Sequence, residues 1–130
     1  KGYQPVILLD GPPGIGCPVI STINGVDHVV IVTEPSLSGL HDLQRAATVA
    51  RGMNRPISVV LNKWDLHPGL SDQITAWCRD QGIGIAGRIP FSEVVVEAMV
   101  RGLAVTEYAP GHQVSQAISM IYKLLTGEKG

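Results

Sequence analysis

The chain has 130 residues, 45% of them hydrophobic and 16% charged, with a formal net charge of −1. That length suits one domain around a single hydrophobic core, and the composition excludes a disordered tail. Near-neutral charge and only one Phe, three Tyr and two Trp leave neither a basic surface nor a stacking platform for nucleic acid.

The first predicted element is "PVILLD" (Pro5–Asp10), a continuous apolar run of the kind found in strands covered on both faces. The runs "DHVVIVTE" (Asp27–Glu34), "PISVVLN" (Pro56–Asn62) and "IGIAGRIP" (Ile83–Pro90) repeat the type. Helical stretches Ser38–Met53 and Gly69–Gly82 separate the last three, and Ser92–Gly102 follows them. In the first helix Leu40, Leu43, Ala47 and Ala50 form one apolar stripe, with Asp42, Gln44, Arg45 and Arg51 largely off it. Ser38, Ser71 and Ser92 are candidate N-caps, and Gly82 and Gly102 stand where a helix end favours φ > 0. The last stretch places Val114, Ala117, Ile118, Ile121, Leu124 and Leu125 on one helical face. Only Lys123 and Lys129 are basic there, so a helix closing the sheet is expected, not a membrane anchor. Alternating strands and helices mean an α/β fold with a mostly parallel sheet, as a single domain over 1–130.

No apolar run approaches membrane-spanning length and no signal-peptide pattern opens the chain. Cys17 and Cys78 are far apart and outside any CxxC pair, which points to reduced thiols and a cytoplasmic setting. The chain starts at Lys1 and reaches a strand within a few residues, so a piece of a longer protein is expected.

Where chemistry would sit is marked by "VILLDGPPGIGCPVI", in which the apolar run stops at Asp10 and turns through Gly-Pro-Pro-Gly. Ligands of α/β sheets bind beyond the C-terminal strand ends. A carboxylate there can hold a hydrated Mg²⁺ against nucleotide phosphates. Gly14 allows close backbone approach to a phosphate, while Pro12 and Pro13 stiffen the turn. An ordinary strand-to-helix turn would use the same residue types, so this stretch alone leaves both readings open.

"ILLDGPPG" (Ile7–Gly14) resembles the Walker-B and switch segment of the MinD/ParA group of P-loop ATPases, an apolar strand followed by D-x-P-P-G. "DGPPGIGCPVI" is similar to the branch whose full-length members carry an inserted ferredoxin domain. Val26–Ala46, "VVLNKWD" (Val59–Asp65) and "RIPFSEVVVEAMVRG" (Arg88–Gly102) resemble later segments of that branch, in the same order. The resemblance implies a partial P-loop NTPase fold of the CobQ/CbiA/MinD type, the C-terminal part of such an ATPase. It implies ATP and Mg²⁺ as cofactors, with Asp10 serving the metal through water and the Gly14 backbone near the γ-phosphate. Asn62 would bond adenine, and the loop around Pro90 would line the base pocket. A homodimer around nucleotide, and an iron–sulfur cluster in the full-length protein only, are implied on the same basis.

Asn62-Lys63-Trp64-Asp65 also spells the N-K-x-D string of GTPases, in which the aspartate reads guanine. Lys63 and Asp65 therefore join Asn62 and Pro90 as candidate nucleotide-binding residues. Against guanine, Pro13 stands where GTPase switches place glycine, and no Ser-Ala-Lys type of loop follows the strand ending at Ile89. A non-catalytic interaction module and a CobQ-type amide synthase fragment are two further readings of the same residues. The phosphate cradle G-x-x-x-x-G-K-[ST] is absent, since none of Lys1, Lys63, Lys123 and Lys129 precedes Ser or Thr. These 130 residues alone are expected to hydrolyse no nucleotide. Cys17 and Cys78 are read as packing residues. His28, His41, His67 and His112 have no metal-ligand spacing.

Overall fold

The computed structural model describes residues 26–127. Through them run β1 (Val29–Thr33), α1 (Leu37–Gly52), β2 (Ile57–Asn62), a 3-10 turn (Trp64–Leu66), α2 (Pro68–Asp80), β3 (Gly84–Ile89), α3 (Glu93–Val100), α4 (Val105–Tyr108) and α5 (Gln113–Thr126). The strands form one sheet in the order β1-β2-β3, parallel throughout, with Val29 opposite Ile57 and Ser58 opposite Gly84. This is the expected α/β architecture, with the three predicted strands among the described residues trimmed by one to three residues each. The first predicted strand, with Asp10, Gly14 and Cys17, lies outside the described residues.

Period-two alternation decides the two faces of the sheet. Val59 and Leu61 of β2, with Ile31, Ile57 and Ile85, pack against Leu43 and Ala47 of α1 and Ile74 and Cys78 of α2. The predicted stripe of α1 holds: Leu43, Ala47 and Ala50 are buried and Leu40 packs beside them. At the far end of both helices, the Arg51 guanidinium donates to the Gln81 side chain at 2.8 Å and to the Gln81 carbonyl.

The opposite face meets α5. Gly87 lies across from Val60, and the Ile121 side chain fills the place a Cβ on Gly87 would need. Between Val59 and Val60 the register shifts, and the extra residue on β3 is Ala86, a bulge that sets the glycine under α5. Val114 and Ile121 are buried as expected, but Leu124 is 64% exposed and off the packed face. Val30 and Val32 of β1 are 40% and 62% exposed. Among the described residues β1 is thus covered on one face, where its continuous apolar run predicts two.

The helix starts differ from the expected ones for a local reason. Ser36, not Ser38, caps α1, its Oγ accepting from Gly39 N at 2.9 Å. His67 caps α2 through Nδ1, which accepts from Leu70 N at 3.1 Å, with Pro68 at the first helical position. Ser71 is buried instead, and its Oγ donates to the Trp64 carbonyl at 2.7 Å. Ser92 caps α3 as expected. Gly82 and Gly102 adopt φ of +71° and +69°, the left-handed ends foreseen for them. Among the described residues no helix is long and apolar enough to cross a membrane.

Candidate functional site

Parallel strands with helical crossovers bring every strand's C-terminus to the same edge of a sheet. That edge gathers Glu34 after β1, the string Asn62-Lys63-Trp64-Asp65 at the end of β2, and Pro90-Phe91 after β3. All four described candidates, Asn62, Lys63, Asp65 and Pro90, therefore lie along one edge. Asp10 and Gly14 lie outside the described residues.

The β1 end is built tightly. Thr33 is 5% exposed and its hydroxyl donates to the Gly39 carbonyl at 3.1 Å. Ser36 N donates to the Glu34 carbonyl at 2.8 Å. A Cβ on Gly39 would overlap that same carbonyl and sit 2.9 Å from Ser36 Oγ. Only glycine lets α1 start this close to the strand it follows.

At the β2 end the chain leaves the sheet through Lys63, whose φ of 57° and ψ of 39° are left-handed. A side chain in that region carries local strain, a condition concentrated at functional sites. Lys63 Nζ lies 3.7 Å from Glu34 Oε2, with side chains 40% and 57% exposed. Such an open pair contributes at most about 1 kcal/mol. It bridges the β1 and β2 ends without fixing them firmly.

The next two residues turn to the β3 side. Asp65 Oδ1 accepts from Phe91 N at 2.8 Å, across 26 positions of sequence. The Arg88 guanidinium lies over the Trp64 ring at 5.4 Å from its centroid, and it donates to Thr75 Oγ1 at 3.4 Å. Asn62 differs from these neighbours. It is half-buried, and its carboxamide makes no hydrogen bond with another described side chain or backbone group. A donor and an acceptor side by side, unspent at a strand end, are what recognition of a heterocyclic base edge requires.

Sequence reasoning missed Glu34, Phe91, Arg88 and Gly39. Glu34 and Phe91 carry no motif of their own, and only the parallel register places them beside Lys63 and Asp65. Among the described residues no group of three or more His, Cys, Asp or Glu side chains is placed to hold a metal ion. An open hollow of about 220 Å³ lined by His41, Gln44, Arg45 and Thr48 lies along α1 and includes none of the strand-end candidates. Burial raises the Cys78 thiol above its ordinary value, in keeping with packing and not with reactivity.

No protein-family profile matches the chain. An uncharacterised protein of Methanocaldococcus jannaschii is 31% identical over 101 residues, covering 78% of this chain and 33% of that protein. The iron–sulfur cluster carrier protein of Aquifex aeolicus is 26% identical over 137 aligned positions, covering 96% of this chain and 38% of its own length. The chain thus spans between about a fifth and two-fifths of the curated relatives it matches. Among solved structures, the MinD cell division protein of Aquifex aeolicus superposes with a TM-score of 0.75 at 25% identity, over 92% of this chain and 52% of that one. MinD of Pyrococcus horikoshii, solved with Mg-ADP, superposes with a TM-score of 0.74 at 20% identity, over 89% and 48%. The resemblance read from the motifs is shared by the fold.

Proposed function

Starting from a chain that folds as part of a MinD/ParA-like P-loop ATPase, we propose that it supplies the magnesium-side switch and the base side of an ATP site. One observation carries this reading: Asn62, half-buried and with its carboxamide unspent among the described residues, sits on the strand-end edge between Glu34–Lys63 on one side and Pro90–Phe91 on the other.

Each residue has a definite task in the proposal. Asn62 hydrogen-bonds the adenine edge, and the loop at Pro90 walls the base. Asp10 holds the magnesium ion through water, and the Gly14 backbone meets the terminal phosphate. Lys63 keeps Asn62 at the mouth of the sheet, because its left-handed backbone turns the chain away directly after the strand. Bound magnesium supplies charge neutralisation of the triphosphate. The nucleotide then acts as a conformational timer, with two copies of the intact protein closing around ATP and parting after hydrolysis. An output in iron–sulfur cluster handling or electron transfer has the carrier relative in its favour.

Light scattering on the intact protein tests this. Mg-ATP is expected to convert monomer to dimer, and Asp10→Ala to abolish the conversion. A particle size that ignores Mg-ATP would favour the rival reading, a docking module without nucleotide chemistry.

A further inference from the structure

The N-K-x-D string assigns the carboxylate of Asp65 to a base, and the geometry gives it a different partner. Its Oδ1 accepts from the Phe91 backbone at 2.8 Å. The turn that carries it is itself braced, by Leu66 N on the Lys63 carbonyl at 3.1 Å and by Ser71 Oγ on the Trp64 carbonyl at 2.7 Å. Arg88 adds a second tie between the same two strand ends, lying over Trp64 and reaching Thr75. A carboxylate that reads guanine must turn both oxygens to the base. One oxygen here is spent on the protein backbone, through a charge-assisted bond stronger than a neutral one.

We propose that Asp65 is a positioning residue, a clamp that fixes the Pro90–Phe91 segment against the end of β2 and so sets the width of the base-side cleft, leaving base selection to Asn62 and the backbone of that segment. This rests on the nucleotide reading above for its purpose, though not for its geometry. A clamp needs only an acceptor where Oδ1 stands. The D65N variant keeps one and D65A does not, whereas a guanine reader changed from carboxylate to carboxamide exchanges guanine for xanthine.

The test, on the intact protein as wild type, D65N and D65A, follows amide hydrogen exchange at Phe91 and then titrates Mg-ATP, Mg-GTP and Mg-XTP. In D65A the Phe91 amide is expected to exchange roughly tenfold faster or more, the loss of one hydrogen bond to a charged acceptor. In D65N it stays within about threefold of the wild type, a neutral acceptor being the weaker one. The base preference of D65N is expected to match the wild type, and D65A to bind every nucleotide more weakly. Unchanged Phe91 exchange in D65A, or a switch from GTP to XTP in D65N, would overturn the clamp. If no nucleotide binds while Phe91 responds as expected, the clamp stands and the nucleotide reading falls.

Discussion

Lys63 shows how a single residue couples stability to function at this edge. Its left-handed backbone costs about 1 kcal/mol that glycine would not incur. The Glu34 pair it makes at 3.7 Å returns at most about the same. Lys63→Gly is therefore expected to unfold at an unchanged or slightly higher denaturant midpoint. Glycine keeps the left-handed turn that places Asn62, so the same variant is expected to retain its affinity for Mg-ATP. A large drop in stability would show that the lysine is held there for folding alone. Gly39 is the opposite case, since its role is steric. A methyl group at that position would collide with the Glu34 carbonyl, so Gly39→Ala is expected to destabilise by roughly 1–3 kcal/mol. Chemical denaturation of the variant measures this directly. The string Asn62-Lys63-Trp64-Asp65 is legible as a site from sequence alone, because it ends an apolar strand. The clamp role of Asp65 is not, since its partner is a backbone amide 26 positions away with no side-chain signature.

Among the elements, α5 depends on two small features. Gly87 admits Ile121 onto β3, and His112 Nδ1 accepts from Val114 N at 3.0 Å to cap the helix. His112 Nε2 also reaches Ser92 Oγ at 3.5 Å, so the caps of α3 and α5 lie side by side. Replacing the cap with alanine, His112→Ala, should cost about 1 kcal/mol, while His112→Asn should recover most of it. Equal losses in thermal unfolding of the two variants would show that the imidazole matters for packing and not for capping. Periodicity identified α1, α2, α3 and α5 and most of their buried faces, because apolar stripes are a local property of sequence. It misplaced two N-caps because Ser36 and His67 compete with the more obvious Ser38 and Ser71, and backbone geometry decides between them. The continuous apolar run of β1 promised cover on both faces, yet Val30 and Val32 remain exposed. Periodicity records which residues are apolar, not which neighbour arrives to cover them.

At the scale of the whole molecule, one cluster joins α1, β2 and α2 through Leu43, Val59, Leu61, Ile74 and Cys78. Burial raises the Cys78 thiol above its ordinary value, so the folded state favours the neutral thiol more than the unfolded state does. The resulting stabilisation is present below the unfolded thiol's range and is lost as pH rises through it towards the raised folded value. Unfolding free energy should accordingly fall across that alkaline window by more in the wild type than in Cys78→Ala, and a thiol reagent should label Cys78 only after unfolding. Identical alkaline slopes would contradict this. The same cluster holds the sheet whose edge carries the candidate site, and that edge contains a natural reporter. Both tryptophans pack against the core, Trp64 two residues from Asn62 and Trp77 from within α2. The most direct measurement is therefore the emission of Trp64 in a Trp77→Phe background of the intact protein, titrated with Mg-ATP. The base-side role of Asn62 predicts a saturable change whose midpoint rises roughly tenfold when Asn62→Ala removes the base contact, the loss of about one well-made hydrogen bond. Emission that ignores Mg-ATP, or a midpoint that Asn62→Ala leaves in place, would contradict it.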